Sequence, residues 1–99
     1  MPLNRLKIKT TKEILWIYLL KLLTDRDMYA YEIRGVLKEE FGFRPALVTS
    51  YVVLYRLERE GYVTARWNEN KKYYSITETG EQLLLDGLQH LRELIGKLG

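Results

Sequence analysis

Ninety-nine residues, 46% hydrophobic and 29% charged with a net charge of +3, specify one folded domain with no room for a second core. With no cysteine present, disulfides, thiolate metal sites and cysteine nucleophiles are excluded. The best apolar run, residues 14–23, is about half the length that crosses a bilayer and carries Lys21; no membrane role and no signal peptide are expected, which suits a cytoplasmic protein.

Residues 1–9 show no clear period and read as a basic arm, in which Arg5, Lys7 and Lys9, with Lys12 just beyond, are unopposed. Thr10 with Glu13 fits a capping box, so "TKEILWIYLLKLLTDRD" (11–27) is expected to be a first helix closed by Asp25-Arg26-Asp27. Apolar residues run almost all round it, which asks for cover from its own domain and from a second surface. "MYAYEIRGVLKEEFG" (28–42) reads as a second helix with Ile33 and Leu37 inward and Gly42 at its C-terminal cap. After the short "FRPA" loop, "LVTSYVVLYRLEREG" (47–61) reads as a third helix. Helix, short turn, helix is a helix-turn-helix arrangement.

"YVTARW" (62–67) alternates Val63, Ala65 and Trp67 against Tyr62, Thr64 and Arg66, the period of a strand. "NEN" turns it, and "KKYYSIT" (71–77) returns as a second strand. A hairpin directly behind a helix-turn-helix makes a winged helix. Thr77 then caps a last helix, on which Leu84, Leu88, Leu91, Ile95 and Leu98 form a 4-3-4-3 seam. The fold expected is therefore mainly α with a small β-hairpin (α+β). Residues 1–77 form the winged helix-turn-helix and 78–99 a C-terminal dimerisation helix. Leu15, Trp16 and Leu19 of the first helix are expected to join that seam in a homodimer; Trp16 is otherwise a core residue or lines a ligand site.

Three motifs in order resemble the PadR family of transcriptional regulators. "MYAYEI" is similar to the family's Tyr/His-Gly-Tyr-Glu-Ile signature, with Ala30 where Gly is usual. "TSYVVLYRLEREGYV" resembles its Thr-Leu-Tyr-Pro-Leu-Leu-x-Arg-Leu-Glu-x-x-Gly-Leu-Ile stretch, with Ser50 and Val52 departing from Leu and Pro. "KKYYSITETG" resembles its Arg-Lys-Tyr-Tyr-x-Leu-Thr-x-x-Gly segment. Only one terminal helix follows the wing, as in the short branch of the family. Some relatives hold planar aromatic ligands between tryptophans of that helix. Here no aromatic residue follows Tyr74, so the resemblance does not extend to that pocket, and no effector is assigned.

On the third helix, Leu47, Ser50, Val53, Leu54 and Leu57 share one face. Val48, Thr49, Val52, Tyr55, Arg56 and Arg59 share the other. In a winged helix the second face enters the major groove, so Val48, Thr49, Tyr51, Val52, Tyr55 and Arg56 are candidate DNA contacts. Arg66, Asn68, Asn70, Lys71 and Lys72 around the hairpin tip suit backbone or minor-groove contact. Tyr73 and Tyr74 are read as packing at the wing base, and Tyr29 and Tyr31 as buried helix contacts. His90, the one histidine, has no motif around it, and no catalytic set, metal cluster or phosphate loop is visible. The expected protein is a non-enzymatic, cofactor-free homodimer on double-stranded DNA, a repressor reading a palindrome. The alternative is a winged helix that uses the Val48/Val52/Tyr55 face to dock a protein.

Overall fold

The computed structural model describes residues 1–99. Its elements are α1 (Pro2–Lys12), α2 (Leu15–Asp25), β1 (Met28–Tyr29), α3 (Ala30–Phe41), α4 (Leu47–Arg59), β2 (Val63–Asn68), β3 (Lys71–Ile76) and α5 (Glu78–Leu98). Five helices and a three-stranded antiparallel sheet of order β1-β3-β2 build the winged helix.

The core forms where apolar faces of α2, α3 and α4 meet. Leu19, Leu20, Ile33, Leu37 and Leu54 are completely buried, and Leu15, Leu22, Leu23, Leu57, Val63, Tyr74 and Leu84 nearly so. Tyr18 sits between the ring edges of Phe41 and Phe43, each centroid 5.0 Å away, which packs α2 onto the end of α3. Gly42, at φ +78°, ends α3 in the left-handed conformation that an L side chain resists. In the loop that follows, the Arg34 guanidinium donates to the Pro45 carbonyl at 2.8 Å, fixing the approach to α4.

The wing is a hairpin with a two-residue turn. Asn68 still pairs with Lys71, and both turn residues, Glu69 and Asn70, have positive φ (+50° and +69°). Such a turn follows the right-handed twist of the strands, and Asn tolerates it better than Glu. At the wing's base Thr77 accepts from the Gly80 amide at 3.0 Å and donates to the Gly61 carbonyl at 2.7 Å, so one hydroxyl caps α5 and ties it to the end of α4. A Cβ on Gly80 would overlap the Tyr62 carbonyl oxygen, so this crossing needs glycine.

Several expectations are corrected. The expected arm over residues 1–9 is instead part of a helix, Pro2–Lys12, opened by Pro2 at its first turn. No Thr10–Glu13 capping box forms; the Thr10 hydroxyl instead donates back to the Leu6 carbonyl at 2.8 Å. The chain breaks at Ile14, and α2 starts at Leu15. Met28-Tyr29 are not helical but pair with Tyr74 and Tyr73 as a third strand. Leu15, Leu19 and Leu84 are buried inside the single chain, which leaves them no area to offer a partner. The all-round apolar character of α2 is satisfied by its own domain. Leu88 and Leu91 are partly covered, while Ile95 and Leu98 stand 68% and 80% exposed. Trp16 is half-buried against α5, where Gly87 leaves room for its ring.

Candidate nucleic-acid interface

One face of α4 is spent on the core: Ser50, Leu54 and Leu57 are buried, and the Ser50 hydroxyl is satisfied by the Ala46 carbonyl at 3.2 Å. The opposite face is bare. Val48 (73%), Val52 (53%) and Tyr55 (61%) are exposed with Tyr51, and Thr49, Arg56 and Arg59 lie exposed beside them. Val48, Tyr51, Val52, Tyr55, Arg56 and Arg59 line a shallow concavity with no carboxylate in it. A strip of valine and tyrosine edged only by arginine fits a surface with apolar patches and negative charge. The major groove, with thymine methyls between phosphates, is one.

The wing is braced, and bracing uses some of its charge. Arg66 donates to Asp27 at 3.1 Å and lies over the Tyr73 ring at 5.2 Å. Lys72 donates to Glu58 of α4 at 3.0 Å and lies 5.4 Å from the Tyr74 ring centroid. Lys71 rests over Tyr29 at 4.8 Å, with no carboxylate partner. These cation–ring contacts hold long side chains in fixed directions. Arg66 and Lys72 thus act first as ties, one to the turn after α2 and one to α4. Around the turn Asn68, Glu69, Asn70 and Lys71 are exposed without such a tie, so the tip carries one free carboxylate beside one lysine.

Glu58 also sets the protonation of its neighbour. Its hydrogen bond holds the Lys72 pKa above the ordinary 10.5, against the opposing effect of burial. Burial pushes the Tyr74 phenol above its ordinary 10.0, although the Lys72 cation works the other way. Both side chains therefore remain protonated throughout the physiological range.

Two residues stand outside the sequence reading. Tyr31, read as a buried contact, is 66% exposed, with Arg34 5.8 Å from its ring centroid. Trp67, grouped by alternation with Val63 and Ala65, is 71% exposed at the wing tip. It shares a face with buried Val63, but the core has ended before Trp67 is reached. A tryptophan one residue before a polar turn was the available signal.

With this geometry in view, comparison with known proteins adds the following. A family model described as the transcriptional regulator PadR-like family matches residues 19–86. No curated protein sequence matches the chain. A transcriptional regulator from Clostridium thermocellum superposes with a TM-score of 0.83 at 26% identity, over 91% of this chain and 90% of that one. A PadR family transcription regulator from Clostridium difficile gives 0.74 at 27% identity, over 84% and 91%. Bacillus subtilis PadR in complex with operator DNA gives 0.69 at 32% identity, over 76% of this chain but 46% of that protein. No helix of the chain is long and apolar enough to cross a membrane.

Proposed function

The chain belongs to the PadR-like family of transcriptional regulators, and from that premise we propose that it is a cytoplasmic homodimeric repressor. It seats α4 in the major groove of a palindromic operator and rests the wing on the adjacent backbone or minor groove. The observation that carries this reading is the carboxylate-free strip of α4. Its valines and tyrosines are bare, while on the other face of the same helix Ser50, Leu54 and Leu57 are buried in the core. Val48, Thr49, Tyr51, Val52 and Tyr55 face the bases, Arg56 and Arg59 the phosphates, and Lys71, Asn68 and Asn70 the strand beside the wing. The similarity to a PadR solved on operator DNA supports the same docking.

Dimerisation is supported by apolar surface that the single chain leaves open. None of the residues of α1 is buried, and Leu3, Leu6 and Ile8 are exposed, as are Leu94, Ile95 and Leu98 on α5. We read residues 78–99 as the dimerisation helix, its first half packed on its own domain and its second half on the partner. Leu88, Leu91, Ile95, Leu98 and the open edge of Trp16 are the interface residues retained from the sequence reading.

Fluorescence anisotropy of a labelled duplex from this gene's upstream region tests the reading against a scrambled duplex at several salt concentrations. The expected result is tighter binding to the upstream duplex that falls steeply with salt, and weaker binding by Arg56→Ala on both. Absence of binding at low salt would falsify it and hand the Val48/Val52/Tyr55 face to a protein partner.

A further inference from the structure

We propose that the cleft between α4 and the wing is the seat of one sugar–phosphate strand of duplex DNA, with the Trp67 indole packed against a deoxyribose at the minor-groove edge. This rests on the DNA-binding reading above.

In the hairpin, Val63 faces Ile76, Ala65 faces Tyr74 and Trp67 faces Lys72, so these six share the inner face of the sheet. Burial fades along it: Val63 and Tyr74 are buried, Ala65 is half-buried, and Trp67 is 71% exposed. The wing has carried its inner face out beyond the core. Trp67 therefore projects from the side of the sheet that packs toward α4, over open space.

That space is a cleft of about 200 Å³ lined by Tyr29, Ala30, Tyr51, Trp67, Asn70, Lys71 and Lys72. Tyr51 belongs to the bare face of α4, and the last four to the wing. None of the lining residues is acidic; Glu69, at the turn between Asn68 and Asn70, does not line it. Lys72 is tied to Glu58 and the Lys71 ammonium rests over Tyr29, so Asn70 supplies a free amide and Tyr51 a hydroxyl. When a helix occupies a major groove and a wing the neighbouring minor groove, the strand dividing the two grooves must run between helix and wing. Here that passage has donors suited to a phosphate along one side and an indole plane for the sugar. An indole left bare in the free protein is an apolar surface that a partner would cover.

Quenching is read in Trp16→Phe, which leaves Trp67 as the sole tryptophan of the two in the chain, and duplex binding in the parent background, where the Trp16 contact is untouched. Binding of Trp67→Ala and Trp67→Phe to the upstream and scrambled duplexes is measured by anisotropy, and acrylamide quenching of Trp67 is read with and without DNA. Expected are about tenfold weaker binding by Trp67→Ala on both duplexes, the scale of one aromatic contact to a nucleotide, and partial retention by Trp67→Phe. The salt slope should not change, because no charge is lost, and Trp67 should become protected from acrylamide on binding. Unchanged melting of Trp67→Ala separates lost contact from lost fold. Normal DNA binding by Trp67→Ala, with Trp67 as open to acrylamide as in the free protein, overturns the seat and leaves the regulator reading intact. If the parent binds no duplex, both fall, and an aromatic protein-docking surface takes their place.

Discussion

The middle of this chain and its two ends obey different rules. Every buried residue lies between Leu15 and Leu84; α1 contributes none, and α5 contributes none beyond Leu84. The middle holds helix on helix with a sheet braced across them, and two ion pairs fasten the wing to the turn after α2 and to α4. At the ends, α1 and the second half of α5 carry exposed apolar residues that find no cover in their own chain. A helix of 11 residues such as α1 is marginal when isolated in water, so it needs cover to persist. The buried core is concentrated in the middle and the uncovered apolar surface at the ends.

The sharpest way to break this contrast is to strike each region and compare. Leu54 is completely buried on α4, and Leu54→Ala should cost about 2–5 kcal/mol of stability in urea titrations, on the scale of a core cavity. A loss under about 0.5 kcal/mol, the size of a surface effect, would show that the centre is not the core described. Ile95→Lys, at a position 68% exposed, should do the reverse. Sedimentation equilibrium should show a shift from dimer toward monomer, while the monomer's own stability changes by no more than about 0.5 kcal/mol. A dimer that survives Ile95→Lys together with Leu98→Lys would move the interface elsewhere.

Two smaller effects probe the wing. Glu69 occupies left-handed backbone at the turn, so Glu69→Gly should stabilise the protein by about 0.5–1 kcal/mol; a lower melting temperature would mean the turn depends on the glutamate side chain. The raised pKa values of Lys72 and Tyr74 should show themselves in alkali. Lys72 and Tyr74 have folded-state pKa values raised above 10.5 and 10.0. Their contribution is complete below those values and lost as pH rises through the raised folded ones. Melting temperature should therefore stay level up to about pH 10 and then fall, and Lys72→Met with Tyr74→Phe should soften the fall. A decline that begins near neutrality would point to other groups.

Local signals carried much of the fold. Gly42 ends α3, Thr77 caps α5, and the alternation from Val63 to Trp67 is a strand, all from chemistry within a few residues. What stayed hidden depends on distance. Strand β1 is two residues long and exists because Tyr73 and Tyr74 pair with it. The partners of Arg66 and Lys72 lie 39 and 14 residues away, so two cations assigned to DNA proved to be braces as well. Alternation told which way Trp67 points but not that the core ends beneath it. The apolar ring of α2 suggested a partner, yet its own domain encloses Leu15 and Leu19. Helix α1 buries nothing, so no core-facing stripe marked it in the sequence.

In the proposed dimer, paired ends hold two α4 helices at a fixed spacing on one duplex. Hydroxyl-radical footprinting of the protein on its own upstream region tests that most directly. The account predicts two protected stretches on one face of the duplex, their centres about 10 base pairs or a small multiple of that apart. Both should be lost at concentrations where Ile95→Lys is monomeric. A single protected stretch, or even protection along the whole duplex, would contradict it.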